Sequence, residues 1–300
     1  MLADYLVRAG VGRVTLADRD VVETTNLQRQ TLFAEADIGS PKAVVAMGKL
    51  AEINRDVELA AKVVDVGPDN IEGLVDSSGA TLLLDGTDNA ATRYLLNDVA
   101  VKHGLPWVYG GCVGVDGRVM PIIPNDGPCL RCVFTDAPAA GDVQTCDTAG
   151  VLGPAAGIVA SLQAAAAIRL LTTGTAEKKL LTIDAWSLRF REIDLSQAKR
   201  ADCPACRARR FDFLNTAASQ AASLCGRQSV QVRTHVSPAF SLDRAEAAIG
   251  GRFAPERTAY LLKFAPEAGI EITLFADGRA LVHGTNDLAR ARSIVSKYLG

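Results

Sequence analysis

The sequence predicts an α/β fold: a Rossmann-like, mostly parallel sheet with flanking helices and a zinc-braced end, joined to a small C-terminal α+β domain. Three observations carry it. From Arg13 to about Thr87, short apolar runs alternate with helical patterns, as they do where each parallel strand is followed by a helix that carries the chain back. Two Cys-x-x-Cys pairs, Cys129/Cys132 and Cys203/Cys206, close off the far end of this region. Beyond a Ser-, Ala- and Gln-rich stretch the pattern changes to helix, strand, hairpin and helix. The divisions that follow are a first domain at 1–212, a linker at 213–229 and a second domain at 230–300.

The elements follow in order. Leu2, Leu6 and Ala9 share one helical face, so Met1 to Ala9 reads as a short helix. A Gly10-x-Gly12 turn and a strand from Arg13 to Asp18 come next. Ser40-Pro41 opens a second helix, Ser as cap and Pro in the first turn. Val57 to Val64 alternates as a strand, and Thr81 to Leu84 is continuously apolar, as a strand buried on both faces is. A helix from Ala90 to His103 precedes strands at Trp107–Gly111 and Gly117–Ile123, with a turn at Asp116-Gly117. Phe134 to Thr148 lacks periodicity and reads as a mobile loop. Val151 to Leu171 is apolar but holds Ser161, Gln163 and Arg169, which suits a buried core or interface helix rather than a membrane span. Late strands fall at Thr182–Asp184 and Leu188–Ile193. The second domain offers a helix at Leu242–Ile249, a strand at Tyr260–Phe264, a hairpin turning at Asp277-Gly278 and a last helix at Asp287–Tyr298.

Composition narrows the function. The 300 residues are 48% hydrophobic, enough for two cores. A formal net charge of -2 leaves no basic surplus to draw nucleic acid or an anionic membrane. Asp4 and Arg8 interrupt the first apolar stretch, which is therefore no signal peptide, and the expected location is cytoplasmic. Seven cysteines, an odd number, do not make a disulfide scaffold. The two Cys-x-x-Cys knuckles instead offer four thiolates to one tetrahedral zinc, a closed site that holds a fold. A redox pair sits singly at a helix N-terminus after a strand, whereas both pairs here lie in loop-like sequence.

Polar chemistry concentrates at strand ends. Asp18 ends a strand where nucleotide-binding folds place an acid on a ribose hydroxyl. Asn26, Gln28, Arg29 and Gln30 supply hydrogen-bonding groups, and the Arg29 fork suits phosphate. Lys42 adds a positive charge at a helix N-terminus, an unfavourable place that a phosphate would relieve. In Asp85-Gly86-Thr87-Asp88-Asn89, Asp88 is a candidate magnesium ligand, while Thr87 or Asp88 can also cap the next helix. Cys146 precedes a helix, which lowers a thiol pKa; the neighbouring Asp147 acts the other way.

These motifs, "DRDVVETTNLQRQTLF", "GSPKA", "DGTDN", the two cysteine pairs and "CDTAGVLGPAAGIVASLQA", have the order and spacing of the ThiF/MoeB/HesA family, bacterial relatives of the ubiquitin-activating enzymes. The resemblance covers about residues 1 to 212. It implies ATP- and Mg2+-dependent adenylation of the C-terminal Gly-Gly carboxylate of a ubiquitin-like sulfur carrier protein by a homodimer with structural Zn2+. By the same resemblance Asp18 is the ribose acid; Thr25, Asn26, Leu27, Gln28 and Arg29 form the nucleotide-contacting segment. Lys42 is a phosphate ligand, and Asp88, beside Asn89, is the magnesium ligand. Cys129, Cys132, Cys203 and Cys206 match the zinc ligands, and Cys146 matches the cysteine that bonds the activated carrier in some members. The tail from Val230 resembles an extension that some bacterial members carry.

The family pattern also has a strand and a Gly-x-Gly-Gly-x-Gly loop before the helix read at Met1, and upstream of them an arginine that reaches the partner subunit's nucleotide. Gly10 and Gly12 follow that helix, whereas a phosphate loop precedes one to present its N-terminal amides. The sequence thus reads as entered one strand and one loop late. Two functions remain open on the resemblance: an adenylyltransferase with an N-terminally incomplete domain, or a non-catalytic relative that binds the carrier without adenylating it. A nicotinamide-dependent oxidoreductase would share the sheet type but has no role for Arg29, Lys42, Asp88 and the double knuckle.

Overall fold

The computed structural model describes residues 1–137, 149–216, 221–223, 229–233 and 240–299. The chain forms two compact units, Met1–Ala217 and Ala218–Gly300.

In the first unit, β1 (Arg13–Asp18) pairs in parallel with β2 (Glu58–Val63), Arg13 opposite Glu58 and Asp18 opposite Val63. A parallel pair needs a crossover helix, and α2 (Lys42–Ile53) supplies it. Val7 of α1 (Leu2–Arg8), Leu50 of α2 and Val57 close a small core against Val14, Leu16 and Leu59. The next crossover runs from β3 (Leu83–Leu84), which follows α3 (Ile71–Ser78), through α4 (Ala90–His103) to β4 (Trp107–Val113), again parallel.

From β4 onward the sheet is antiparallel, through β5 (Asp116–Ile122), β6 (Lys179–Asp184) and β7 (Arg189–Asp194). The expectation of a mostly parallel sheet is therefore corrected: among the strands of the described residues, parallel pairing is confined to β1–β2 and β3–β4. The physical reason lies in the connections. Gly114 and Val115 alone join β4 to β5, and a two-residue link can only reverse the chain; Gly114 takes φ +59 there. The turn thus precedes Asp116-Gly117, which are already in β5. Strands β1 and β3 do not pair with each other. Among the described residues each has one edge without a strand partner, and both flank the cavity described below.

Helix α6 (Gly153–Thr173) lies across β4 and β5 and against α1. By length and composition it can cross a membrane, but here it buries Ala155, Val159, Ala164 and Ala167 on the sheet. Two strand glycines allow the approach. A Cβ on Gly117 would lie 2.5 Å from Val159 Cγ2, and one on Gly110 would lie 2.3 Å from the Gln163 amide. Gln163 cannot step aside freely, because its Nε2–H donates to the Asp85 carbonyl at 2.8 Å and to that of Val108 at 3.3 Å. Gly110→Ala is expected to destabilise the unit by about 1–3 kcal/mol, read as a lower urea midpoint.

The second unit is an antiparallel sheet in the order β10-β11-β12-β13-β9-β8. Its strands are β8 (Ala221–Ser223), β9 (Ser229–Arg233), β10 (Glu256–Arg257), β11 (Leu261–Glu267), β12 (Ile270–Phe275) and β13 (Arg279–His283). Helices α7 (Leu242–Ile249) and α8 (Leu288–Leu299) cover one face, over Val230, Leu262, Ile272, Leu274 and Val282. Strand β8 and the start of β9 fall within 213–229, the stretch read as a linker. Its Ala- and Ser-rich composition gives no strand signal; ladder pairing of Ala221–Ser223 with Val230–Val232 makes the strand.

Candidate active site and metal centre

The carboxyl ends of β1 and β3 and the N-termini of α2 and α4 open onto one cavity of about 870 Å³, within the size range of small-molecule sites. Asp18, Arg29, Lys42, Asp88 and Asn89 line it together. Thr25, Asn26, Leu27 and Gln28 belong to the adjoining turn and are not on its wall. Asn26 is buried, its Oδ1 accepting the Glu23 N–H at 3.2 Å; its Nδ2 and the Oε1 of the cavity-lining Gln30 are buried without partners among the described residues. Gln28 ties the turn to the α6 side by donating to the Val151 carbonyl at 3.3 Å. Arg29 Nη1–H donates to the Thr25 carbonyl at 2.8 Å, which fixes its stem beside the cavity.

Lys42 is the first residue of α2, N-capped by Pro41 rather than by Ser40. It is 5% exposed, and its ammonium lies 3.2 Å from Asp20 Oδ2. Asp18 Oδ1 accepts the Asp20 N–H at 2.8 Å. Burial pushes the Asp18 carboxyl above the usual range, and the Lys42 charge opposes that. Arg19, also on the wall, donates to Asp65 Oδ1 at 3.0 Å and lies 3.7 Å from Asp20. Asn89 caps α4 by accepting the Thr92 N–H at 2.8 Å, so neither Thr87 nor Asp88 does. Asp88 is exposed and, among the described residues, its carboxylate accepts no hydrogen bond and makes no ion pair; Arg19 is near enough to feel its charge. Cys146 lies outside the described residues.

The four knuckle cysteines converge elsewhere in the unit. Their sulfurs all lie within 4.8 Å of one another, with separations of 3.9 Å for Cys129–Cys132, 3.6 Å for Cys129–Cys203 and 3.5 Å for Cys132–Cys206. A tetrahedral zinc with thiolates at about 2.3 Å sets its sulfurs about 3.8 Å apart. Helix α5 (Leu130–Val133) begins between the first two cysteines. Its Leu130 N–H donates to Asn97 Oδ1 on α4 at 2.9 Å, and Arg131 reaches Asp212 at 2.9 Å and lies 5.4 Å over the Phe213 ring. The knuckle is thereby fastened to the helix whose first turn carries Arg93.

The ThiF family profile matches residues 1–205. The chain belongs to the ThiF family. Among curated relatives of this ThiF-family chain, the sulfur carrier protein ThiS adenylyltransferase of Bacillus subtilis is 40% identical over 306 residues, 99% of this chain and 88% of that protein. The SAMP-activating enzyme E1 of Haloferax volcanii is 39% identical over 204 residues, 67% of this chain and 74% of that one. The sulfur carrier protein adenylyltransferase of Thermus thermophilus is 39% identical over 210 residues, 67% of this chain and 76% of that one. Among solved structures, E. coli MccB with ATP superposes with a TM-score of 0.57 at 19% identity, over 68% of this chain and 62% of that one. That likeness is one of fold, and the chain spans less than two thirds of that structure.

Sequence reasoning missed several groups that shape the ThiF-family cavity: Arg19 and Asp65, Asp20 opposite Lys42, and Asp85 with Arg93 and Gln163. The signal for Asp20 was its place two residues after Asp18, where the backbone turns. For Gln163 it was an amide in an apolar helix, which must find a partner when buried.

Proposed function

We propose that this chain is an adenylyltransferase that joins the α-phosphate of ATP to the C-terminal glycine carboxylate of a ubiquitin-like sulfur carrier protein, preparing it for sulfur transfer. The observation that carries the reading is the meeting of Lys42, Arg29 and the unpartnered Asp88 carboxylate on one cavity wall in a ThiF-family chain. The B. subtilis relative that aligns along 99% of it bears the name of that activity.

The chemistry follows from charge. The carrier carboxylate attacks the α-phosphorus, its oxygen forms the new P–O bond, the bond to the β-phosphate oxygen breaks, and pyrophosphate leaves with its electrons. No proton is moved, so no general base is needed. Two anions must meet, and catalysis is positioning and charge cancellation. Asp18 would accept from the ribose hydroxyls, Arg29 would contact phosphate, and Asp88 would hold Mg2+, which supplies positive charge to the phosphates. The Oε1 of Gln30, on this wall and without a partner among the described residues, is a polar group that a ligand here can satisfy. Lys42 leaves Asp20 for phosphate, and Asp20 keeps the ammonium in place until then. Lys42→Ala is expected to lower kcat/KM for ATP by about 10²-fold or more, the usual loss for one charge-stabilising donor.

In this reading residues 1–212 are the adenylation domain, 230–300 an appended α+β domain, and the working form a homodimer. The four cysteines hold structural Zn2+. The direct test is the intact mass of a Gly-Gly-ending sulfur carrier incubated with the full-length protein, ATP and Mg2+. A carrier heavier by one adenylyl group supports the reading; a carrier that binds but keeps its mass supports the non-catalytic alternative.

A further inference from the structure

Asp85 is 1% exposed, and both its carboxylate oxygens are occupied. Oδ1 accepts the Thr87 N–H at 2.9 Å and the Thr87 hydroxyl at 2.7 Å. Oδ2 accepts the Arg93 Nε–H at 3.1 Å and the Gly110 N–H at 3.4 Å. Arg93 returns across the loop: its Nη2–H donates to the Thr87 carbonyl at 2.6 Å, and its guanidinium lies 5.7 Å from the centre of the Tyr109 ring. From behind, Gln163 holds the Asp85 carbonyl. Strand β3, the first turn of α4, strand β4 and helix α6 therefore all grip the short loop from Gly86 to Asn89.

The contrast with Asp88 gives this grip a purpose. Asp85 has no lone pair left for a ligand, while Asp88, three residues on, is exposed to the cavity and held by nothing among the described residues. A single flexible carboxylate binds a hard cation poorly unless its backbone is fixed. Burial raises the Asp85 pKa and the Arg93 charge opposes it, so the pair is held together by mutual need as well as by geometry.

We propose that Asp85 and Arg93 are positioning residues that lock the Gly86–Asn89 loop so that Asp88 is offered at a fixed point to the divalent cation accompanying the nucleotide. This rests on the adenylation reading for the identity of the nucleotide. Arg93 acts through its planar fork, which bridges a carboxylate and a carbonyl at once. Lysine, a point charge on a flexible stem, cannot do so.

The test uses the full-length protein and Mn2+ in place of Mg2+, with bound Mn2+ read by loss of the free-ion paramagnetic resonance signal in the presence of ATP. Binding of ATP alone is measured in EDTA. Arg93→Lys and Asp85→Asn are expected to weaken Mn2+-with-ATP binding about tenfold, the usual loss when a group supporting a metal ligand is removed. Metal-free ATP binding should stay unchanged. Thr87→Val, which keeps the ion pair and removes one donor, is expected to give a smaller loss of the same selective kind, and it decides the matter if either buried variant fails to fold. Wild-type Mn2+ affinity in the folded variants overturns the lock, as does an equal loss with and without metal. A wild-type protein that shows the selective Mn2+ behaviour but forms no carrier adenylate sinks the adenylation reading and leaves the lock standing.

Discussion

Asp88→Ala is expected to lower carrier-dependent ATP–pyrophosphate exchange by at least about 10²-fold with an unchanged melting temperature. Both halves follow from the structure. The side chain is exposed, holds no hydrogen bond among the described residues and does not cap α4, which Asn89 does, so its loss removes no packing. What it removes is a carboxylate for the cation that offsets charge as carboxylate and triphosphate meet. Exchange near the wild-type rate in a folded Asp88→Ala protein would refute the assignment of Asp88 as the magnesium ligand.

Removal of zinc, or Cys203→Ala, is expected to abolish cooperative unfolding of the first unit. Cys203 is fully buried with Cys129, Cys132 and Ala205. The cluster joins the segment after β5 to the end of the unit, where Arg131 also reaches Asp212, and through Asn97 it is fastened to α4. Binding at four-thiolate sites is worth about 10 kcal/mol or more, comparable with the whole stability of a domain. The measurements are zinc content, expected at about one per chain for a single tetrahedral site, and the circular-dichroism melt with and without chelator. A zinc-free protein with an unshifted, cooperative melt would show that the knuckle is not structural.

The legible parts of this molecule are those that chemistry marks locally. The paired Cys-x-x-Cys spacing announces its ligand set because few other arrangements need four thiols. Lys42 at a helix start and Asp88 after a buried strand stand out because each is awkward where it sits, and both line the same cavity. Helix α7 and the β12–β13 hairpin carry their periodicity and turn residues in plain view.

The parts that were not legible depend on partners distant in the chain. Strand direction is one: an apolar run such as Lys179 to Asp184 reads the same whether its neighbour is parallel or antiparallel, and the link at Gly114-Val115 had to be located first. Asp85 is another. In sequence it is one acid of two in a loop, and its pairing with Arg93, Gly110 and the amide of Gln163 arises only when β3, β4 and α6 are assembled. Strand β8 has no intrinsic preference for its conformation and takes it from the β9 ladder, the ordinary way in which tertiary pairing overrides composition.

The most direct test of the account is ATP–pyrophosphate exchange by the full-length protein with a Gly-Gly-ending sulfur carrier, run beside the same carrier amidated at its C-terminus. The account predicts exchange with the free carboxylate and none with the amide, because the attacking oxygen is the carrier's own. Exchange that persists with the amidated carrier, or that is absent with both, would contradict it.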